Sequence, residues 1–375
     1  MIRPLLASAL CCATLAVAKP PPPDLPAFEK ALAPAFRPPA EFADDFGTYR
    51  SPLLFADGTR VKTAADWRKR REEILKTWHG LMGPWPAVIE KPKVVTLKTT
   101  KRDGLTEHAL RLEVAPGVTT DDAILLVPDG KGPFPAVVVV FYDAASGVGR
   151  GKPGSRVDFA LQLARRGFVA LSFGNPPAYA GKGGGPQPLS HMAYMAANCY
   201  QALANMPSVD AKRVGIVGHS YGGKWAMFAS CLYDKFACAA WSDGGIVFDE
   251  KRSNVNYWEQ WYLGRDKGLK RKPGLVTEEN PRTGAYKELV AAKHDLHELH
   301  ALMAPRPFLV SGGSEDPPER WRALNHAVAV NRLLGYRDRV AMTNRKGHQP
   351  TAESNEQMCR FFEYFLLHGK ALEKP

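Results

Sequence analysis

Beyond its first eighteen residues the sequence has no apolar run of the roughly 20 residues that a membrane-spanning helix needs, so an integral helical membrane protein is excluded. Cysteine is scarce, at six in 375 residues, and no Cys/His spacing matches a zinc site. No metal and no cofactor is therefore expected. Internal repeats are absent, and the basic residues are dispersed with no finger, ribonucleoprotein or homeodomain pattern, which argues against nucleic acid as a partner. Gly 33 and Pro 31 fall well short of a collagenous or low-complexity chain. What is present is globular: 45% hydrophobic and 23% charged residues, enough to bury a core, with a length that allows two domains or one large one.

The amino terminus has its own logic. Arg3 precedes an apolar run from Leu5 to Val17 that closes on Ala16-Val17-Ala18, the pattern of a secretory signal cleaved after Ala18. The expected location is secreted or periplasmic, and without Arg3 the formal charge falls from +12 to +11. A basic secreted chain favours acidic partners such as uronate-bearing or sulfated polysaccharide, although solubility alone accounts for such a charge. Four cysteines follow the signal: Cys199, Cys231, Cys238 and Cys359. They allow three pairings, and their spacing selects none of them. Residues 19–58 begin with a proline run and read as a semi-extended leader.

From there the period alternates. Thr63 and Asp66 form a capping pair for a helix whose Trp67, Ile74, Leu75, Trp78 and Met82 share one face, with Lys69, Arg70 and Arg71 at polar positions. Strand patterns follow at 93–100, 107–114, 122–128 and 136–142; the last is apolar throughout, as expected of a strand buried on both faces. Strands at 168–173, 214–218, 237–242, 307–311 and 339–343 then alternate with helices. The expected fold class is α/β: one domain with a mostly parallel central sheet flanked by helices. A long insertion, 244–304, interrupts the alternation.

Gly218-His219-Ser220-Tyr221-Gly222 stands where a strand turns into a helix. There the G-x-S-x-G pattern has a mechanical meaning: flanking glycines permit the sharp turn that lifts the serine hydroxyl above the sheet, and the helix points its amino terminus at the site. Ser220 is the candidate nucleophile. It needs a base, and the base needs an orienting carboxylate. In the order Ser, acid, His used with this motif, His348 fits as the base, in the loop after the last strand. Two acids compete. Asp316, just after the strand ending at Ser311, is the first choice; Asp243, at the end of the preceding strand, is the alternative, with Glu315 behind both. His219 reads as packing, and His294, His297 and His300, whose three-residue repeat drifts around a helix, read as surface or packing residues. An oxyanion hole is expected from the amide of Tyr221 with one from the stretch Phe141 to Asp143, centred on Tyr142. The insertion gathers Tyr257, Trp258, Trp261 and Tyr262, rings that stack on sugars and pack lids equally well; Trp258 and Trp261 are the candidate substrate contacts.

These residues resemble the α/β-hydrolase superfamily and, within it, bacterial glucuronoyl esterases and related acetylxylan-type carbohydrate esterases. The helix Trp67 to Met82 with Gly83-Pro84, the stretch Gly218 to Lys224 against their G-x-S-R-x-G-K motif, Asp295 to Leu299 leading into Ala304-Pro305-Arg306-Pro307, and Gly347-His348 carry the likeness, from about residue 60 to the end. The resemblance implies a secreted serine carboxylic-ester hydrolase acting on a glucuronoyl or acetyl ester of a polysaccharide, with an insertion between strands six and seven of that fold's usual count. It also implies that Lys224 contacts sugar hydroxyls, and it sets Asp243 where many members carry a glutamate acid. The chain departs at Tyr221, where the family has an arginine that helps to hold the oxyanion and the uronate. A prolyl oligopeptidase-like peptidase shares the core but carries a preceding propeller, and an inactive binding module would have lost one of Ser, His or acid.

Overall fold

Residues 136 to 140 are buried on both sides, Ala136, Val138 and Val140 facing one apolar cluster and Val137 and Val139 the other. Strand β4 (Phe134–Val140) is thus the centre of a three-layer arrangement in the computed structural model, which describes residues 25–174, 185–252 and 256–370. The signal expected at 1–18 lies outside the described residues.

Among them, nine strands form one sheet in the order β1-β2-β3-β5-β4-β6-β7-β8-β9. Strands β1 (Val94–Arg102), β2 (Leu105–Ala115) and β3 (Val118–Pro128) are antiparallel, and β3 pairs antiparallel with β5 (Val169–Phe173). From β5 through β4 to β6 (Val209–His219), β7 (Cys238–Ser242), β8 (Phe308–Gly312) and β9 (Val340–Asn344) every pairing is parallel. The expected single α/β domain with a mostly parallel sheet is found.

On one face lie α2 (Ala64–Met82), α4 (Pro188–Ala204), α5 (Tyr221–Leu232), α6 (Gly284–Ala291), α7 (His297–Leu302) and α8 (Trp321–Leu333). On the other lie α1 (Leu25–Leu32), α3 (Phe159–Ala164) and α9 (Ala352–Phe362). Thr63 and Asp66 close the expected capping box of α2, which buries Trp67, Ile74, Trp78 and Met82. Arg70 departs from the polar face: it is buried, 2.9 Å from Glu73 and 3.9 Å from Glu298 on α7. The leader departs too. Residues 25–32 form α1, and Leu32, Ala35 and Phe36 are buried in the cluster that holds Phe361 and Phe365, so docking of an apolar face overrides the proline-rich composition. The four cysteines are buried, unpaired thiols. No helix among the described residues is long and apolar enough to cross a membrane.

The chain passes from β4 to β5 on one side and to β6 on the other. That reversal opens a crevice at the carboxyl ends of β4 and β6, the place where open α/β sheets bind ligands. Both candidate loops, Phe141 to Asp143 and Gly218 to Gly222, lie there.

Candidate active site

Ser220 has φ +55° and ψ −112°, a backbone conformation rare for any residue with a side chain. The turn is held from both ends. Ser220 N–H donates to Ser242 O at 2.7 Å, and Ser220 O accepts from Lys224 N–H at 3.0 Å, the first turn of α5. The flanking glycines are required by space: a Cβ on Gly222 would lie 2.1 Å from Val140 O, and one on Gly218 would lie 2.2 Å from Gly222 O. Their absence lets the helix start directly against the end of β4.

His348, four residues after β9, brings Nε2 to 2.8 Å from Ser220 Oγ. Its Nδ1 is 2.7 Å from Asp243 Oδ2. Asp243 is fully buried, and its other oxygen accepts from the N–H groups of Gly313 at 2.6 Å, Asp316 at 3.0 Å and Glu315 at 3.1 Å. With Oδ1 so engaged, Oδ2 is fixed toward the imidazole. The hydrogen-bond line therefore assigns Nδ1–H to donate to Asp243 and leaves Nε2 to accept from the serine hydroxyl.

Here the first choice of acid is corrected. Asp316 does not meet His348; its carboxylate accepts from Gly245 N–H at 2.9 Å and Ile246 N–H at 2.7 Å. The loops after β7 and β8 thus exchange carboxylates: Asp243 staples the β8 loop, and Asp316 staples the β7 loop. Burial, with the charge of Asp243 adding to it, pushes the Asp316 carboxyl up to about 6. Glu315 is also buried and lies 3.6 Å from Arg252.

Three side chains whose roles sequence reasoning missed hold the loops in place. Arg345 donates to Ser311 O at 2.7 Å and to His348 O at 2.6 Å, tying the histidine loop to the end of β8. Asp122, on β3, accepts from Ala144 N–H at 2.9 Å, and Asp143 accepts from Ser146 N–H at 2.7 Å, shaping the loop after β4. Asp143 precedes turn sequence, where a side-chain acceptor for a loop amide is common, whereas Asp122 lies inside β3 and carries no such signal. His219 packs as expected: Nδ1 lies 3.2 Å from Ser242 O, and burial, aided by neighbouring His348 and Arg345, pushes the ring down to about 3. It stays neutral beside His348, whose ring centroid is 4.7 Å away. His297 and His300 are buried in the core, His297 2.7 Å from Arg50 O.

Of the three substrate contacts expected from sequence, two are sealed. Trp258 is fully buried with Nε1 donating to Gly274 O at 2.9 Å, a core residue of the insertion. Lys224 is buried, its Nζ 5.2 Å from the centre of the Tyr257 ring and 5.8 Å from that of Tyr262. Burial lowers its pKa, while the charges of Asp316, Glu315 and Asp243 oppose the shift. Trp261 alone is exposed, at 47%.

Ser220 and His348 open onto a cleft of about 830 Å³ whose lining includes Phe141, Tyr142, His219, Arg150, Lys152 and Pro153. Val140 pairs with Gly218 in the β4/β6 register, so Tyr142 stands beside the nucleophile. Among the described residues no group of three or more His, Cys, Asp or Glu is placed to hold a metal ion.

The prolyl oligopeptidase family model matches residues 196–348, from within α4 to His348. Over most of the chain the likeness is to esterases. A 4-O-methyl-glucuronoyl methylesterase 1 of Wolfiporia cocos is 24% identical across 84% of this chain and 80% of its own. A glucuronoyl esterase from Solibacter usitatus superposes with a TM-score of 0.64 at 20% identity, covering 88% of this chain and 98% of that one. One from Teredinibacter turnerae gives 0.61 at 19% identity, over 84% and 88%. The chain has the α/β-hydrolase fold. The resemblance read from its motifs, to glucuronoyl and related carbohydrate esterases, is borne out by these likenesses. Within the α/β-hydrolase frame the insertion 244–304 falls between β7 and β8, the sixth and seventh strands of the usual count.

Proposed function

We propose that the protein is a secreted serine carboxylic-ester hydrolase acting on carbohydrate esters, a glucuronoyl or acetyl ester of a polysaccharide. The observation that carries this reading is the unbroken line from Ser220 Oγ through His348 to Asp243 Oδ2, with bonds of 2.8 and 2.7 Å. Ser220 Oγ attacks the ester carbonyl as His348 Nε2 takes its proton, forming a tetrahedral intermediate whose oxyanion is held by the amides of Tyr221 and Tyr142. The imidazolium, stabilised by Asp243, returns the proton to the departing alcohol and leaves an acyl-serine. Water, activated by the same imidazole, adds to the acyl carbonyl, releasing the acid and regenerating Ser220. The prolyl oligopeptidase match spans only the core that peptidases and esterases share, so it supports the chemistry and leaves the substrate to the esterase likeness over the longer span.

A panel of acetylated xylo-oligosaccharide, a methyl glucuronate ester, a feruloyl ester and a peptide tests the reading. Turnover of a sugar ester and none of the peptide is expected; turnover of the peptide alone would overturn it.

The buried position of Lys224 changes what its removal should do. As a countercharge to Asp243 and Asp316 it supports the catalytic loops, so Lys224→Met should lower kcat/KM about tenfold on small and sugar esters alike, the equivalent of ~1.4 kcal/mol. Steady-state kinetics on vinyl acetate and a sugar ester checks this. A loss confined to the sugar ester would return Lys224 to substrate recognition.

A further inference from the structure

The residue after the nucleophile is a tyrosine turned inward. Tyr221 is 6% exposed, its hydroxyl donates to Met192 Sδ at 3.3 Å, and its ring packs against Trp225 and Tyr262 at 6.1 and 6.0 Å. It brings no cation to the cleft. What it supplies is a backing surface: the ring of Tyr142 lies flat on it, with centroids 4.5 Å apart and planes within 10°. Phe141 meets Tyr142 edge-on at 5.0 Å, and the Asp122 and Asp143 hydrogen bonds hold the loop that carries both rings.

Tyr142 nevertheless remains 57% exposed while lining the same cleft as Ser220 and His348. A large ring fixed on one face and uncovered on the other has already lost its rotamer freedom, so a flat partner can stack on it at little further entropic cost. Other lining residues are of different character. Arg150 is held by Glu107 at 2.6 and 2.7 Å, and Lys152 is exposed, so they offer charge and polar groups. The exposed large aromatic ring in the lining is that of Tyr142.

We propose that Tyr142, backed by Tyr221, is the platform on which a pyranose ring of the ester substrate lies, and that it is the residue selecting sugar esters over small acyclic ones. The proposal rests on the carbohydrate-ester reading and names how that substrate is held. The C–H face of a pyranose packs on an aromatic ring as another ring does, and a pair of this kind contributes up to about tenfold in binding.

The test compares kcat and KM for vinyl acetate with those for whichever of the acetylated xylo-oligosaccharide and the methyl glucuronate ester the wild type hydrolyses better. In Tyr142→Ala the ratio of kcat/KM, sugar ester over vinyl acetate, should fall about tenfold, mainly through KM of the sugar ester. Tyr142→Phe and Tyr142→Trp, which keep a ring, should restore it. An unchanged ratio in Tyr142→Ala overturns the platform, as does a ratio that no aromatic replacement restores. A wild type that hydrolyses vinyl acetate and neither sugar ester overturns the carbohydrate reading itself, and the platform with it; a platform that fails on a sugar ester the wild type does hydrolyse leaves that reading standing.

Discussion

Ser220→Ala should lose about 10⁴ to 10⁶ in kcat on every ester the protein hydrolyses, or ~5–8 kcal/mol of barrier, while its thermal unfolding stays near that of the wild type. The stability side follows from the geometry. The strained turn is held by the Ser220 backbone, through Ser242 O and Lys224 N–H, and by the space that Gly218 and Gly222 leave, so removal of one oxygen touches none of these supports. The kinetic side follows from the position of Oγ, hydrogen-bonded to His348 Nε2 in the lining of the cleft. Paired kinetics and thermal melts of both proteins check it. A folded variant that keeps more than a few per cent of the rate would remove Ser220 from the chemistry.

The second large effect separates two buried carboxylates. Asp243→Asn should cost about 10³ to 10⁴ in kcat. The amide oxygen will stay with the three backbone N–H groups that now fill Oδ1, which turns the –NH₂ toward His348 Nδ1. Nδ1 must then accept, the proton moves to Nε2, and the imidazole can no longer take a proton from Ser220. Asp316→Asn disturbs the staple to Gly245 and Ile246 but no bond to His348, and should cost far less in rate, with its effect read mainly as a lower melting temperature. Rates and melting temperatures of the two variants decide the matter; an Asp316→Asn variant with the larger kinetic loss would reverse the assignment.

The choice between these acids shows where sequence stops. Strand and helix periods place both at the carboxyl ends of neighbouring strands, and chain order permits either. What decides is a tertiary exchange, in which each carboxylate crosses to the other's loop, and the positive φ of Asp243, +47°, that turns its side chain that way. Ser220 and His348 were legible because their requirements are local: two glycines around a turn, and a loop after the last strand. Sheet and helices were legible for the same reason, since Ala136 to Val140 can only be a strand covered on both faces. Lys224 and Trp258 misled because residue type advertises a contact that burial withdraws, and the burial is imposed by Tyr257, Tyr262 and the insertion, distant in sequence. The leader's prolines hid α1, whose stability comes from the cluster formed with α9.

The proposed chemistry rests on one serine, Ser220, activated by His348 and Asp243. Its most direct test is reaction of the purified protein with diethyl p-nitrophenyl phosphate, followed by peptide mass mapping and ester assay. One diethylphosphoryl group on the peptide containing Ser220, with ester hydrolysis lost in proportion to labelling, is the predicted result. Full ester hydrolysis in a protein exhaustively exposed to the reagent, or inactivation with the label on another residue, would contradict it.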